Sequence, residues 1–104
     1  MIPSEAAMDP RLRIELWTSW ASLLRSYAAA HGLSSRHHAV VEIGADEITL
    51  RVAGTWLRFT HEQMEDSNGN RSSFLLQEDG TVKLNETTQE MDLAAERLAR
   101  EMMQ

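Results

Sequence analysis

Residues 40–59 read Val-Val-Glu-Ile-Gly-Ala-Asp-Glu-Ile-Thr-Leu-Arg-Val-Ala-Gly-Thr-Trp-Leu-Arg-Phe. Apolar and polar side chains alternate through three short segments, interrupted by turn residues at Ala45-Asp46 and Ala53-Gly54. Successive side chains on a strand point to opposite faces, so this alternation marks strands with one dry side. The phase survives both turns. A two-residue turn at Ala45-Asp46 pairs Ile43 with Ile48, Val41 with Leu50 and Ala39 with Val52. A second at Ala53-Gly54 pairs Leu50 with Leu57 and Ile48 with Phe59. All these partners share one face, and a slip of one residue would turn every apolar side chain to water. Register is therefore constrained along with fold class. The opposite face carries Val40, Glu42, Thr49, Arg51, Trp56, Arg58 and Thr60, mostly solvated material.

A helix precedes this meander. Asp9 is placed to cap free amides, and Pro10 suits the first helical position, where its missing N–H costs nothing. Leu12, Leu16, Trp17, Trp20, Leu23, Leu24, Tyr27 and Ala28 then recur at three- and four-residue steps, and Gly32 is the expected left-handed terminator. Strands follow over residues 37–43, 47–52 and 55–61. Residues 63–70 are the most polar stretch and read as a loop or loose hairpin end. A fourth strand over about 71–77 puts Phe74 and Leu76 on the dry face. Glu78-Asp79-Gly80 makes a three-residue hairpin loop, and a fifth strand over 81–84 adds Val82 and Leu84. Thr87 and Glu90 stand in capping-box spacing ahead of a second helix, whose stripe is Met91, Ala94, Ala95, Leu98, Ala99 and Met102.

The expectation is a single α+β domain over residues 1–104, with residues 1–8 as a flexible N-terminus. Its architecture is a two-layer sandwich: helix, five-stranded antiparallel meander, helix, with both helices on one face of the sheet. This element order is similar to that of small secretion chaperones and cystatin-like rolls. The mid-sheet helix of the secretion chaperones has no counterpart here, and the chain is assigned to neither family.

Ten basic residues against sixteen acidic ones leave a formal charge of −6. That balance removes the general attraction to phosphate on which most nucleic-acid affinity rests, and it opposes anionic membranes. Neither nucleic acid nor membrane is an expected partner. No apolar run approaches the ~20 residues a bilayer crossing needs, and the first eight residues lack the pattern of a secretory signal. Cysteine is absent, which excludes disulfides, thiol catalysis and thiolate zinc sites and fits a cytoplasmic setting.

His37 and His38 are adjacent, so on a strand they face opposite ways and cannot share a metal. His37 and His61 share the inner face, but strand two separates them by about two spacings of 4.8 Å. His61-Glu62 lacks the second histidine of the helical zinc motif, and residues 66–70 lack the full calcium-loop ligand set. The carboxylates cluster in turns and helix starts, and no nucleophile elbow or phosphate-cradling glycine loop occurs. No catalytic residue, metal site or cofactor is assigned.

The stronger feature is the outer sheet face. Trp56 stands opposite Arg51, with Val40 beside it, and Arg58 and Leu75 point the same way. Trp and Arg are enriched among the residues that dominate binding energy. These five residues are the interface candidates for a non-enzymatic interaction module: an adaptor, chaperone-like factor or regulatory subunit with a protein partner, a homodimer or both. Helix two is the other candidate dimer surface. The alternative is a small enzyme or small-molecule binder with a pocket between helix one and the sheet, lined by Trp17, Trp20, Tyr27 and His37.

Overall fold

Asp9 caps the first helix as its place before Pro10 requires, its Oδ1 accepting the Arg11 N–H at 2.8 Å. The computed structural model describes residues 9–33 and 38–104; the expected N-terminal segment 1–8 and His37 lie outside the described residues. The order of elements is α1 (Pro10–Gly32), β1 (Ala39–Ile43), β2 (Ile48–Val52), β3 (Thr55–Phe59), β4 (Gln63–Asp66), β5 (Arg71–Leu76), β6 (Thr81–Leu84), β7 (Thr87–Glu90) and α2 (Met91–Met102). The strands form one antiparallel meander in chain order. The fold is thus an α+β sandwich of helices on an antiparallel sheet, with seven strands where five were expected.

Register follows the alternation. Ala39, Val41 and Ile43 face Val52, Leu50 and Ile48, and Leu50 and Ile48 face Leu57 and Phe59. Gly44 N–H to Glu47 O at 2.8 Å closes the first hairpin around Ala45-Asp46. Ala53 holds φ at 55° in the second, an uncommon conformation for a residue with a Cβ. At the β5–β6 hairpin, Gln77 N–H bonds Thr81 O at 2.8 Å and Gly80 takes φ 85°, which closes the three-residue loop as expected.

Two polar stretches are corrected. Of residues 63–70, expected as a loop or loose hairpin end, only 67–70 are a hairpin turn; 63–66 form β4, which pairs with β3 and β5 on both sides, and Met64 is its one apolar anchor, packed on the core. Asp66 turns the chain back. Its Oδ1 accepts the N–H groups of Asn68 (2.9 Å) and Asn70 (3.0 Å), and its Oδ2 accepts Asn70 Nδ2 at 3.1 Å. The Asn70 side-chain bond, then its backbone N–H, hold the Asp66 carboxyl below the ordinary carboxylate range. A depressed folded-state pKa contributes stability that is fully present above the unfolded value, about 3.9, and is lost as pH falls through the lower folded value. Asp66→Asn keeps an acceptor for the turn but cannot titrate. Urea midpoints of the two proteins at pH 6 and pH 3 should therefore show a smaller acid loss in the variant; equal losses would remove Asp66 from the account.

Thr87 to Glu90 is likewise not a capping box. Thr87–Glu90 forms β7, paired with β6 through the turn at Asn85-Glu86, where Asn85 takes φ 54°. Helix α2 starts at Met91 with Glu90 as an N-cap that makes no side-chain bond. Instead the Met91 N–H donates to the Gly80 carbonyl at 3.1 Å, so the pairing of β7 satisfies the first free amide. Gly32 is corrected as well: it stays within α1, and the cap is Leu33 in right-handed geometry.

One core joins both helices and the sheet. Trp20, Phe59 and Phe74 form its centre, with ring centroids 5.1–5.4 Å apart and the Trp20–Phe59 pair edge-to-face. The helices meet through Tyr27 Oη–Asp92 Oδ1 (2.5 Å) and His31 Nε2–Glu96 Oε2 (2.9 Å), both spanning 65 residues. Partners one turn apart on α1 thus meet partners one turn apart on α2 in the same direction, so the helices run parallel there.

Candidate functional site

The outer face of β1–β4 carries two transverse rows set by register. One is Val40–Arg51–Trp56; the other is Glu42–Thr49–Arg58–Glu65. Arg58 is the hub. Its guanidinium carbon lies 4.4 Å from the Trp56 ring centroid, within cation–π range. Its Nε is 3.4 Å from Glu47 and its Nη1 is 3.8 Å from Glu65, which also receives Arg71 Nε at 3.7 Å. Arg58 Nε is buried, and its contact with Glu47 is an ion pair without hydrogen-bond alignment. Arg51, the expected cation on Trp56, pairs instead with Glu42 at 2.9 Å. Thr49 was expected among solvated side chains but is buried, since Glu42 and Arg58 flank it on both strands. Surface ion pairs contribute little stability singly. Here they place a paired cation over the Trp56 ring, beside Val40, which is 50% exposed.

Leu75 is equally exposed but does not join this group. It lies on β5, two strands beyond Trp56 and past the end of β4, with Lys83 of β6 as its register partner.

The expected pocket residues are also dispersed. Trp20 is fully buried in the core, and its Nε1 has no hydrogen-bond partner. Tyr27 sits at the helix–helix contact with Asp92, whose hydrogen bond, with partial burial and the acidic charges of Asp92 and Glu96, raises the phenol pKa. Burial pushes Glu96 the other way from its partners, but the bonds from His31 and Arg100 outweigh it and hold that carboxyl low. Trp17 alone lines a cavity, of about 260 Å³, with Arg13, Leu16, His61, Glu62 and the Phe74–Leu76 end of β5.

This notch sits where the β1–β2 and β3–β4 turns meet α1. Trp17 Nε1 donates to the Gly44 carbonyl at 2.8 Å, and the His61 ring stacks on the indole with centroids 4.1 Å apart. His61 Nε2 lies 2.9 Å from the Ala45 carbonyl, which can only accept, so that nitrogen carries a proton. The histidine's donor is thereby committed to the β1–β2 turn. A second cavity, about 380 Å³, lies on the inner face under α2 among Met64, Ser72, Leu84, Gln89, Arg97 and Leu98, and Arg97 Nη2 bridges it to Gln89 at 2.9 Å.

Among the described residues no three His, Asp or Glu side chains converge in a metal-binding group, and Asp66 spends its carboxylate on its own turn. Among the described residues, too, no helix is long and apolar enough to cross a membrane. Of the notch, sequence reading named Trp17 and a place between helix one and the sheet; His61, Glu62 and the free edge were missed, because they depend on where β4 stops against β5. Comparison with known protein families, curated proteins and solved structures finds no match.

Proposed function

We propose that this chain is a non-enzymatic protein-interaction module, of the adaptor, chaperone-like or regulatory-subunit kind, which uses the outer face of β1–β3. The observation that carries this reading is the preorganised Trp56–Arg58 pair, set beside exposed Val40 with neighbouring charges already matched. An aromatic anchor whose orientation is fixed before contact loses little entropy on docking. A twofold dimer is the simplest use of such a face, because it offers both arginines and carboxylates to its own copy. No nucleic acid or membrane partner is proposed, given the net charge of −6. The cytoplasmic setting is part of the same proposal and rests on the cysteine-free sequence.

Sedimentation equilibrium over a range of concentrations tests it. Wild type should dimerise, and Trp56→Ala should weaken the dimer by more than ~2 kcal/mol, the cost of truncating a central aromatic anchor. A wild type that stays monomeric at high concentration ends the dimer reading. An unaffected dimer in the variant moves the contact to α2, with Leu93, 59% exposed, as the next position to truncate.

Small-molecule binding is the second reading, favoured by the Trp17–His61 notch. A metabolite that raises stability by several kcal/mol in thermal-shift screening, as tight native-state binding must, would select it.

A further inference from the structure

Strand β4 accompanies β5 only part of the way. Gln63 faces Ser73, and one further bond joins the Phe74 N–H to the Glu62 carbonyl at 3.1 Å. Beyond that point β5 continues to Leu76 and its hairpin with β6. Backbone groups of an antiparallel strand point alternately to its two neighbours. The bonds Asn85 N–H to Ser73 O (3.1 Å) and Gln77 N–H to Thr81 O (2.8 Å) send residues 73, 75 and 77 toward β6. Phe74 and Leu76 therefore aim away from it; Phe74 lies opposite Glu62, which takes its N–H, and among the described residues no strand lies alongside Leu76 on that side.

The 260 Å³ cavity opens on this unpaired edge. It touches both Leu75 and Leu76, whose side chains lie on opposite faces, as only an opening at the rim of the strand can do. Its far wall is α1, through Arg13, Leu16 and Trp17. The Arg13 guanidinium, like those of Arg11 and Arg25, has no ion pair or hydrogen bond among the described residues, whereas Arg51, Arg58, Arg71, Arg97 and Arg100 each have a carboxylate; of the three it alone lines the cavity.

We infer that the notch between α1 and the free end of β5 accepts an extended segment of a partner protein as an added strand, with one acidic side chain of that segment meeting Arg13. Main-chain bonds to Leu76 supply the pairing, and an apolar side chain fills the space over Leu16 and Trp17. Adding a strand to an open edge gives affinity through the backbone and selectivity through such pockets. Glu62, also in the lining, disfavours a second carboxylate. This site is separate from the outer face and stands whether or not that face is an interface.

The probe is a fluorescein-labelled heptapeptide of alternating valine and threonine with one aspartate, blocked at both ends. Titrated into ¹⁵N-labelled protein, it should give saturable anisotropy, shift the Leu76 amide and slow its hydrogen exchange. Arg13→Glu should weaken binding about tenfold, because it replaces attraction by like-charge opposition. A peptide with prolines at alternate positions should not bind, and Trp56→Ala should bind as wild type does. Shifts confined to β1–β3, no saturation at millimolar peptide, or unchanged affinity in Arg13→Glu would each overturn the inference. A Leu76 shift that follows protein concentration without peptide would give the notch to a second copy, and binding that appears only after removal of residues 1–8 would give it to the chain's own segment.

Discussion

Phe74→Ala should lower stability by about 3–5 kcal/mol, read as a shift in the urea midpoint at constant slope. Phe74 is 1% exposed and completes the three-ring centre with Trp20 and Phe59, so its loss removes both contacts and leaves a void that the sheet cannot close. For a domain of this size that is a large share of the total. Trp20→Phe is the informative companion. The Trp20 N–H is buried without a partner, an arrangement that costs about 1–3 kcal/mol. Phenylalanine removes that donor while giving up part of the ring, so the two effects oppose and the change should stay within about 1.5 kcal/mol. A loss as large as that of Phe74→Ala would show that the indole is held by something other than packing.

Trp17→Ala should be nearly as damaging, about 3 kcal/mol or more, for a different reason. Trp17 ties α1 to the end of the sheet: its ring carries His61 and its N–H holds the Gly44 carbonyl, so truncation frees two turns at once. Trp17→Phe keeps most of the packing and loses one hydrogen bond, worth about 1 kcal/mol. Denaturation midpoints rank the two, and the His61 ring signals should change far more in the alanine protein. Similar small losses in both would mean that the turns stand without the tryptophan.

Strand register was legible wherever side chains alternate. Ile48, Leu50, Leu57 and Phe59 could occupy only one face, and the observed pairs are those the pattern demands. The stripes of both helices were legible for the same reason. β4 was not, because Gln63, Glu65 and Asp66 show no dry face; that strand exists because β3 and β5 pair with its backbone. β7 was hidden by an ambiguity: threonine three residues before glutamate is a helix-start pattern, yet Thr87 and Thr88 are also β-branched strand formers. Asn85 was the usable signal, since asparagine tolerates the left-handed geometry of a tight turn. Of the site, Trp56 and Arg58 were readable from alternation, but the choice of Arg58 over Arg51 as the stacking cation was not. That choice depends on where the carboxylates fall: Glu42 takes Arg51, while Glu47 and Glu65 lie on either side of Arg58.

The parallel run of the two helices bears on how the chain assembles. Every hairpin joins neighbours in sequence, so the meander can grow stepwise from cheap, short loop closures. The contacts of Tyr27 with Asp92 and His31 with Glu96 each bridge 65 residues, and the whole sheet lies between them. Loop-closure entropy of that size must be met before such contacts return anything, which places the docking of α2 against α1 late on the folding route. By the same token α2 is the element that can leave first. Its departure would uncover Met91, Leu98 and the alanines between them while the hairpins persist, putting an apolar stripe in water.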